Sequence, residues 1–173
     1  MGEAKRKKEA GRAAAAAPPA SDHPDDWNAG VMPTLAPGKS CGSCTMCCKL
    51  MGIAELKKPA WTECVHVAPG MGCRIYEQRP RSCRQFICGW LLDPGMGPEL
   101  KPDQCHVIFH QQAGQNIVAT CDADHPNAWR QPDVLEFLHR LVVSLGPSRK
   151  VIVMEKGRVW YVTKDAIVPA DSG

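Results

Sequence analysis

The sequence predicts an α+β fold: a cysteine-rich region followed by a small antiparallel sheet, ordered strand, strand, helix, strand, strand and covered on one face by the helix. Three observations predict it. Eight of the ten cysteines fall between positions 41 and 88, where apolar residues are scattered among Gly, Pro and Cys without a period. From Cys105 onward, short apolar runs alternate with turn signals. Between two pairs of such runs lies one stretch with helical spacing.

Residues 1–40 are rich in Ala, Pro, Lys and Asp and cannot bury enough surface to offset the entropy of ordering, so a disordered tail is expected, with Trp27 as a local anchor. The first twelve residues hold five Lys or Arg and two acids, which accounts for the whole net charge of +3; the remainder carries 16 residues of each sign. A nucleic-acid binder spreads positive charge over a folded face and carries a base-reading motif; neither is present, so the basic arm reads as a solubilising tail rather than a nucleic-acid contact. Arg6 stands where an N-myristoylation signal needs Ser or Thr. The Ala13–Ala17 run ends in Pro18-Pro19, too short and weakly apolar for an export signal, and no apolar run approaches the roughly 20 residues that cross a bilayer. A cytoplasmic protein without a membrane partner is expected. In that compartment thiols stay reduced, and clustered cysteines bind metal rather than forming disulfides.

One domain is expected over residues 41–173, made of a cysteine-cluster region (41–98) and an α+β unit (99–165). The composition is 44% hydrophobic but only 6% aromatic, enough for a modest core. In the first part, helical turns are expected at residues 44–50 and 79–90, and a loop at Asp93-Pro94-Gly95-Met96-Gly97-Pro98. Such a segment folds around its ligand rather than around a core of its own. In the second part, residues 106–110 and 117–121 read as strands around an Ala113-Gly114-Gln115-Asn116 turn. Val134, Leu138, Leu141 and Leu145 mark a helix, widened by Leu135 and Val142, with Pro132 in its first turn and Gly146-Pro147 ending it. Glu136 and Arg140 form a favourable i,i+4 pair on it. Residues 151–154 and 159–162 then flank a Glu155-Lys156-Gly157-Arg158 hairpin turn. Phe109, Trp160 and Tyr161 read as packing residues.

The chemistry lies in Cys41-Gly42-Ser43-Cys44-Thr45-Met46-Cys47-Cys48, followed by Cys64, Cys73, Cys83 and Cys88. A Cys-x-x-Cys turn aims two thiolates at one metal; zinc takes four in a tetrahedron. Cys41, Cys44 and Cys47 with a distant fourth cysteine form a ferredoxin-like arrangement, which with the excess of Cys over His favours an iron–sulfur cluster, of the 4Fe-4S type, over zinc. Adjacent side chains diverge, so Cys47 and Cys48 do not serve one ion equally: one binds, and the other serves a second centre or is simply buried. Eight thiols allow two four-thiolate sites, or one cluster and a remainder. The Cys-x-x-x-Cys-x-x-Cys spacing of radical enzymes is missing, as are a phosphate-cradling glycine loop and a Gly-x-Ser-x-Gly elbow. Cys105 and Cys121 read as buried free thiols. His66 is an alternative ligand to Cys64; Asp122, Asp124 and His125 read as a solvated turn. Arg74, Arg79, Arg81 and Arg84 either offset thiolate charge or pair on the surface with Glu63, Glu77 and Asp93. Tyr76 and Phe86 are expected to pack over the site or in the ordinary core.

These residues also carry a likeness. The Cys41-x-x-Cys44-x-x-Cys47-Cys48 run, then Cys64, then Gly72-Cys73-Arg74-Ile75-Tyr76-Glu77-Gln78-Arg79-Pro80-Arg81-Ser82-Cys83-Arg84-Gln85-Phe86-Ile87-Cys88, resembles the YkgJ-type cysteine-cluster family over residues 41–90. The resemblance implies a zinc- or iron-chelating domain, related to flagellin lysine N-methylases, with Cys41, Cys44, Cys47, Cys48, Cys64, Cys73, Cys83 and Cys88 as the cluster set. The chain departs from the family at Cys64-Val65-His66-Val67, where a Cys-Pro-x-Leu wording is usual. Three functions follow as expectations: a metal-binding cysteine-cluster protein, a zinc-stabilised protein-interaction module, or a protein lysine N-methylase-related enzyme.

Overall fold

The computed structural model describes residues 34–112, 116–146 and 148–170. The expected anchor Trp27 and most of the tail, the centre of the 113–116 turn and Pro147 lie outside them. Residues 34–40, placed in the tail by composition, are built onto the folded part. Ala36 is buried and donates its amide to Leu91 O at 2.8 Å; Lys39 Nζ donates to Asp93 O at 2.6 Å and Met96 O at 2.5 Å.

The α+β class and the strand, strand, helix, strand, strand order stand. Helix α4 (Pro102–Cys105) leads into strand β3 (Val107–Gln111), which is antiparallel to β4 (Ile117–Cys121); helix α5 (Pro132–Leu145) follows, and β5 (Val151–Glu155) and β6 (Arg158–Val162) form a hairpin. Lys156 and Gly157 both have positive φ, 26° and 84°, the backbone that a tight two-residue hairpin demands and the reason for Gly157. One pairing corrects the all-antiparallel expectation: β4 and β5 run parallel, from Ile117↔Val151 to Thr120↔Met154. The crossover through α5 is the cause, since a long helical connection returns the chain in its original direction where a hairpin reverses it. A fifth strand, β7 (Ile167–Pro169), pairs with β6 and completes the order β3-β4-β5-β6-β7. Pro169 hid it in the sequence; proline is tolerated there because the strand lies at the sheet edge.

Helix α5 starts with Pro132 in its first turn and stops at Gly146, whose φ of 71° closes the last turn. Val134, Leu138 and Phe137 are its buried residues, with Leu141, Val142 and Leu145 packed beside them. Phe137 meets Phe109 edge-on at 4.8 Å, and Trp129 meets Trp160 at 5.3 Å. Each fully buried side chain of this size contributes about 1.5–3 kcal/mol.

Alternation along the strands sends Val107, Phe109, Ala119 and Cys121 to the α5 side. Ile108, Val118 and Thr120 therefore face the other way, and they too are buried. The cysteine region covers this second face. Its helix α3 (Gly89–Leu92) lies against β3 so closely that a Cβ on Gly89 would sit 3.1 Å from Phe109 O. Phe86 packs on His110 at 5.7 Å, His110 Nε2 bonds Thr120 Oγ1 at 3.0 Å, and Trp61 Nε1 donates to Cys121 O at 3.0 Å.

Candidate metal centre

The first thiols are set by a tight turn. Cys44 N donates to Cys41 O at 3.0 Å, with Gly42 at φ 53°. Helix α1 (Met46–Leu50) follows at once and carries Cys47 and Cys48; Leu50, 1% exposed, roots it. A short hairpin, β1 (Val67–Ala68) with β2 (Gly72–Cys73), then brings Cys73 opposite Val67. This hairpin was missed in the sequence, where Pro69-Gly70 was its only signal. Cys64 precedes it, buried, its amide donated to Cys48 O at 3.1 Å. Gly72, at φ 93°, lies where a Cβ would meet Gly42 O at 3.0 Å, so the hairpin rests against the first turn.

The helical stretch expected at 79–90 is two helices. Helix α2 (Arg81–Gln85) carries Cys83; the chain then extends, and Cys88 caps α3 with φ −74° and ψ 155°. The break aims Cys83 and Cys88 differently. Glu55 secures α2 by accepting from Ser82 N at 2.9 Å and Ser82 Oγ at 2.6 Å.

The expected thiols come together. Cys41, Cys44, Cys47, Cys48, Cys64, Cys73 and Cys83 line one cavity of about 530 Å3. Cys88 lines a smaller one, about 40 Å3, with Cys41, Cys44 and Cys47 again in its wall. All ten cysteines are unpaired thiols. Tyr76 and Phe86 line the large cavity, as does His66, the alternative ligand. Cys105 and Cys121 stand apart, buried in the α5 core, where burial pushes their thiols up to about 11 and about 12.

Burial pushes the Cys44 thiol up to about 11, although the Met46 amide is aimed at its sulfur. Burial likewise raises Cys88 against the Leu91 and Trp90 amides, and raises Cys83. The Cys47 thiol, hydrogen-bonded to Cys48, goes well up; that same bond brings Cys48 down to about 7, helped by Lys58 and Arg79. Of the four arginines weighed above, Arg79 has a charge that reaches Cys48. It lines the large cavity and stacks on Tyr76 at 3.8 Å, and its Nε is buried without a hydrogen-bond partner among the described residues.

Two lysines were missed. Lys58, 9% exposed, donates to Met51 O at 2.5 Å, Pro59 O at 3.0 Å and Lys49 O at 3.3 Å, within electrostatic reach of Cys64, Cys48, Cys83 and Cys47. Lys101 pairs with Asp103 at 2.9 Å and faces Cys44 and Cys41. A lysine has no motif, and only the fold brings these two to sulfur.

Outside the thiols, His106, Asp122 and His125 hold ligand atoms within 4.8 Å of one another, the set among the described residues that does so. Two features speak against a metal there. The imidazoles stack nearly parallel, 3.5 Å apart at 6°, so their in-plane lone pairs run side by side rather than converging. Lys49 Nζ already sits 2.7 and 2.8 Å from the two oxygens of Asp122 and 2.6 Å from Asp124. The turn read as solvated is instead a tie between α1 and the end of β4.

No helix among the described residues is long and apolar enough to cross a membrane. No family model, curated protein or solved structure matches this chain.

Proposed function

We propose that this is a metal-binding cysteine-cluster protein, in which Cys41, Cys44, Cys47, Cys48, Cys64, Cys73, Cys83 and Cys88 hold an iron–sulfur cluster of the 4Fe-4S type, or zinc. The observation that carries this reading is the convergence of all eight thiols, drawn from five separate segments, on two adjoining cavities while remaining unpaired. The donor set fits such a guest. Amides point at the sulfurs of Cys44 and Cys88, Lys58 and Lys101 supply positive charge, and the unpartnered Arg79 Nε is a donor of the kind that sulfide or thiolate accepts from. Spacing favours a cluster. A single zinc with bonds of about 2.3 Å draws its four sulfurs to roughly 3.8 Å of one another, whereas no three cysteine sulfurs among the described residues meet within 4.8 Å. A cluster distributes its thiolates over separate irons and tolerates the wider setting.

When bound, a cluster supplies one-electron chemistry, with a potential set by charge, hydrogen bonds to sulfur and exposure. The chain's own part is to bind, to offset thiolate charge and to limit water with Ile53, Leu56, Ile87 and Leu91. Reduced thiols in this number suit the cytoplasm, and the likeness of residues 41–90 to the YkgJ-type family belongs to the same proposal. Anaerobic purification followed by visible absorption and elemental analysis tests it. Brown protein with iron and sulfide is the expected result; colourless protein with stoichiometric zinc removes the iron version, and metal-free protein removes both.

A further inference from the structure

We propose that the eight thiols form two separate four-thiolate centres, Cys41, Cys44, Cys47 and Cys88 in one and Cys48, Cys64, Cys73 and Cys83 in the other, divided at the Cys47–Cys48 peptide bond. The proposal rests on the preceding reading, that these thiols hold metal, and adds how they share it.

The cavities draw the line first. Cys88 lines the small one only, together with Cys41, Cys44 and Cys47, which border the large one as well. Cys48, Cys64, Cys73 and Cys83 line the large one only.

Backbone geometry explains why the division falls there. Cys47 and Cys48 are consecutive on α1, and consecutive helical side chains leave the axis about 100° apart. The two thiols are hydrogen-bonded to each other, so the centres adjoin at this pair, with Cys47 on the side of its Cys-x-x-Cys turn and Cys48 on the side of the segment that follows. That segment is pinned to Cys48 itself, whose carbonyl takes the Cys64 amide; the Cys64 carbonyl takes the Val67 amide at 3.0 Å, and Val67 is paired with Cys73. Across the divide, the bend after α2 parts Cys88 from Cys83 and seats it on α3, against β3, where Ile108 closes the small cavity. Each group also has an ammonium near it: Lys101 beside Cys41 and Cys44, and Lys58 beside Cys48, Cys64 and Cys83, with Cys47, at the boundary, also in its reach. Four thiolates gathered in a partly apolar site need compensating charge, which these two lysines supply. Each centre takes a thiolate-preferring guest, an iron–sulfur cluster or a zinc ion.

Metal stoichiometry of the full chain decides. The protein is loaded anaerobically with ferrous iron and sulfide, or with zinc alone, and desalted. Two centres require twice the iron of a single cluster, or two zinc ions per chain. Cys88→Ser and Cys83→Ser should each retain half of the metal, and the double variant none. In the iron form, the reduced protein should show an electron paramagnetic spectrum broadened by a second nearby spin, simplified to one centre in either variant. One centre's worth of metal in the unmodified chain overturns the division while leaving the metal-binding reading intact; no metal at all ends both. If a variant fails to fold, as far-ultraviolet circular dichroism would reveal, the stoichiometry and spectrum of the unmodified chain still decide.

Discussion

Replacing Lys49 by methionine should loosen the cysteine region from the sheet. Lys49 Nζ reaches both oxygens of Asp122, whose side chain is 3% exposed, and also bonds the exposed Asp124. The Asp124 contact is worth under about 1 kcal/mol, as exposed pairs are. The Asp122 contact is a charged hydrogen bond to a buried acceptor, about 1.5–3 kcal/mol, and its loss leaves a buried carboxylate with only the Asp124 amide at 3.2 Å and His125 Nδ1 at 3.1 Å. The expected loss is about 2–3 kcal/mol, or about 6–12 °C in the melting midpoint of the metal-loaded protein. The double variant with Asp122→Asn removes the stranded charge and should recover at least about 1 kcal/mol, a coupling that isolates the pair. The pH dependence has a definite sign. Burial alone would raise the Asp122 carboxyl, but Lys49, the Asp124 amide and His125 hold it below the ordinary carboxylate range. Its contribution is therefore complete above about pH 4 and is lost as pH falls through that lowered value. The gap between wild type and Lys49→Met should stay constant from pH 7 to pH 5. A midpoint within 2 °C of wild type, or additive effects of the two substitutions, would refute the reasoning.

Chelation of the loaded protein should open residues 41–98 before the sheet. The buried cluster within the cysteine region is only Ile53, Cys64 and Val67, against fifteen residues in the core around α5. Limited proteolysis should cut within 41–98 first; equal protection of both parts would count against a metal-dependent fold. Gly72→Ala places a Cβ 3.0 Å from Gly42 O at a φ of 93°, costing about 1–3 kcal/mol, and should speed metal loss to a chelator at unchanged stoichiometry. Cys105→Ala should keep the full metal content and lose about 1 kcal/mol of stability from the α5 core, because its thiol bonds only Leu100 O and Val107 O. Loss of metal in that variant would move Cys105 into the ligand set.

Periodic elements were legible in the sequence, and pairing across distance was not. The stripe Val134, Leu138, Leu141, Leu145 and the alternating runs of β3 to β6 follow from local spacing, so their order could be read directly. The parallel β4–β5 pairing depends on where the crossover returns the chain, which no window of residues records. Strand β7 carries a proline, and β1 and β2 are two residues each, too short for a period to show. Cysteine spacing named the candidate ligands without describing how they group. The bend between Gln85 and Gly89 that parts Cys83 from Cys88 has no signal in the Cys-Arg-Gln-Phe-Ile-Cys wording. Lys58 and Lys101 were invisible because a lysine that the fold brings beside cysteines is spelled like any surface lysine.

Strand β3 has a consequence beyond its place in the sheet. Val107 and Phe109 belong to the hydrocarbon interior under α5, while Ile108, between them, looks onto sulfur. One extended segment is therefore a common wall for two interiors of different chemistry. A single-residue insertion within it would exchange the tenants of both rooms, so a fault that begins in the α5 core would also rebuild the wall that faces the cysteines.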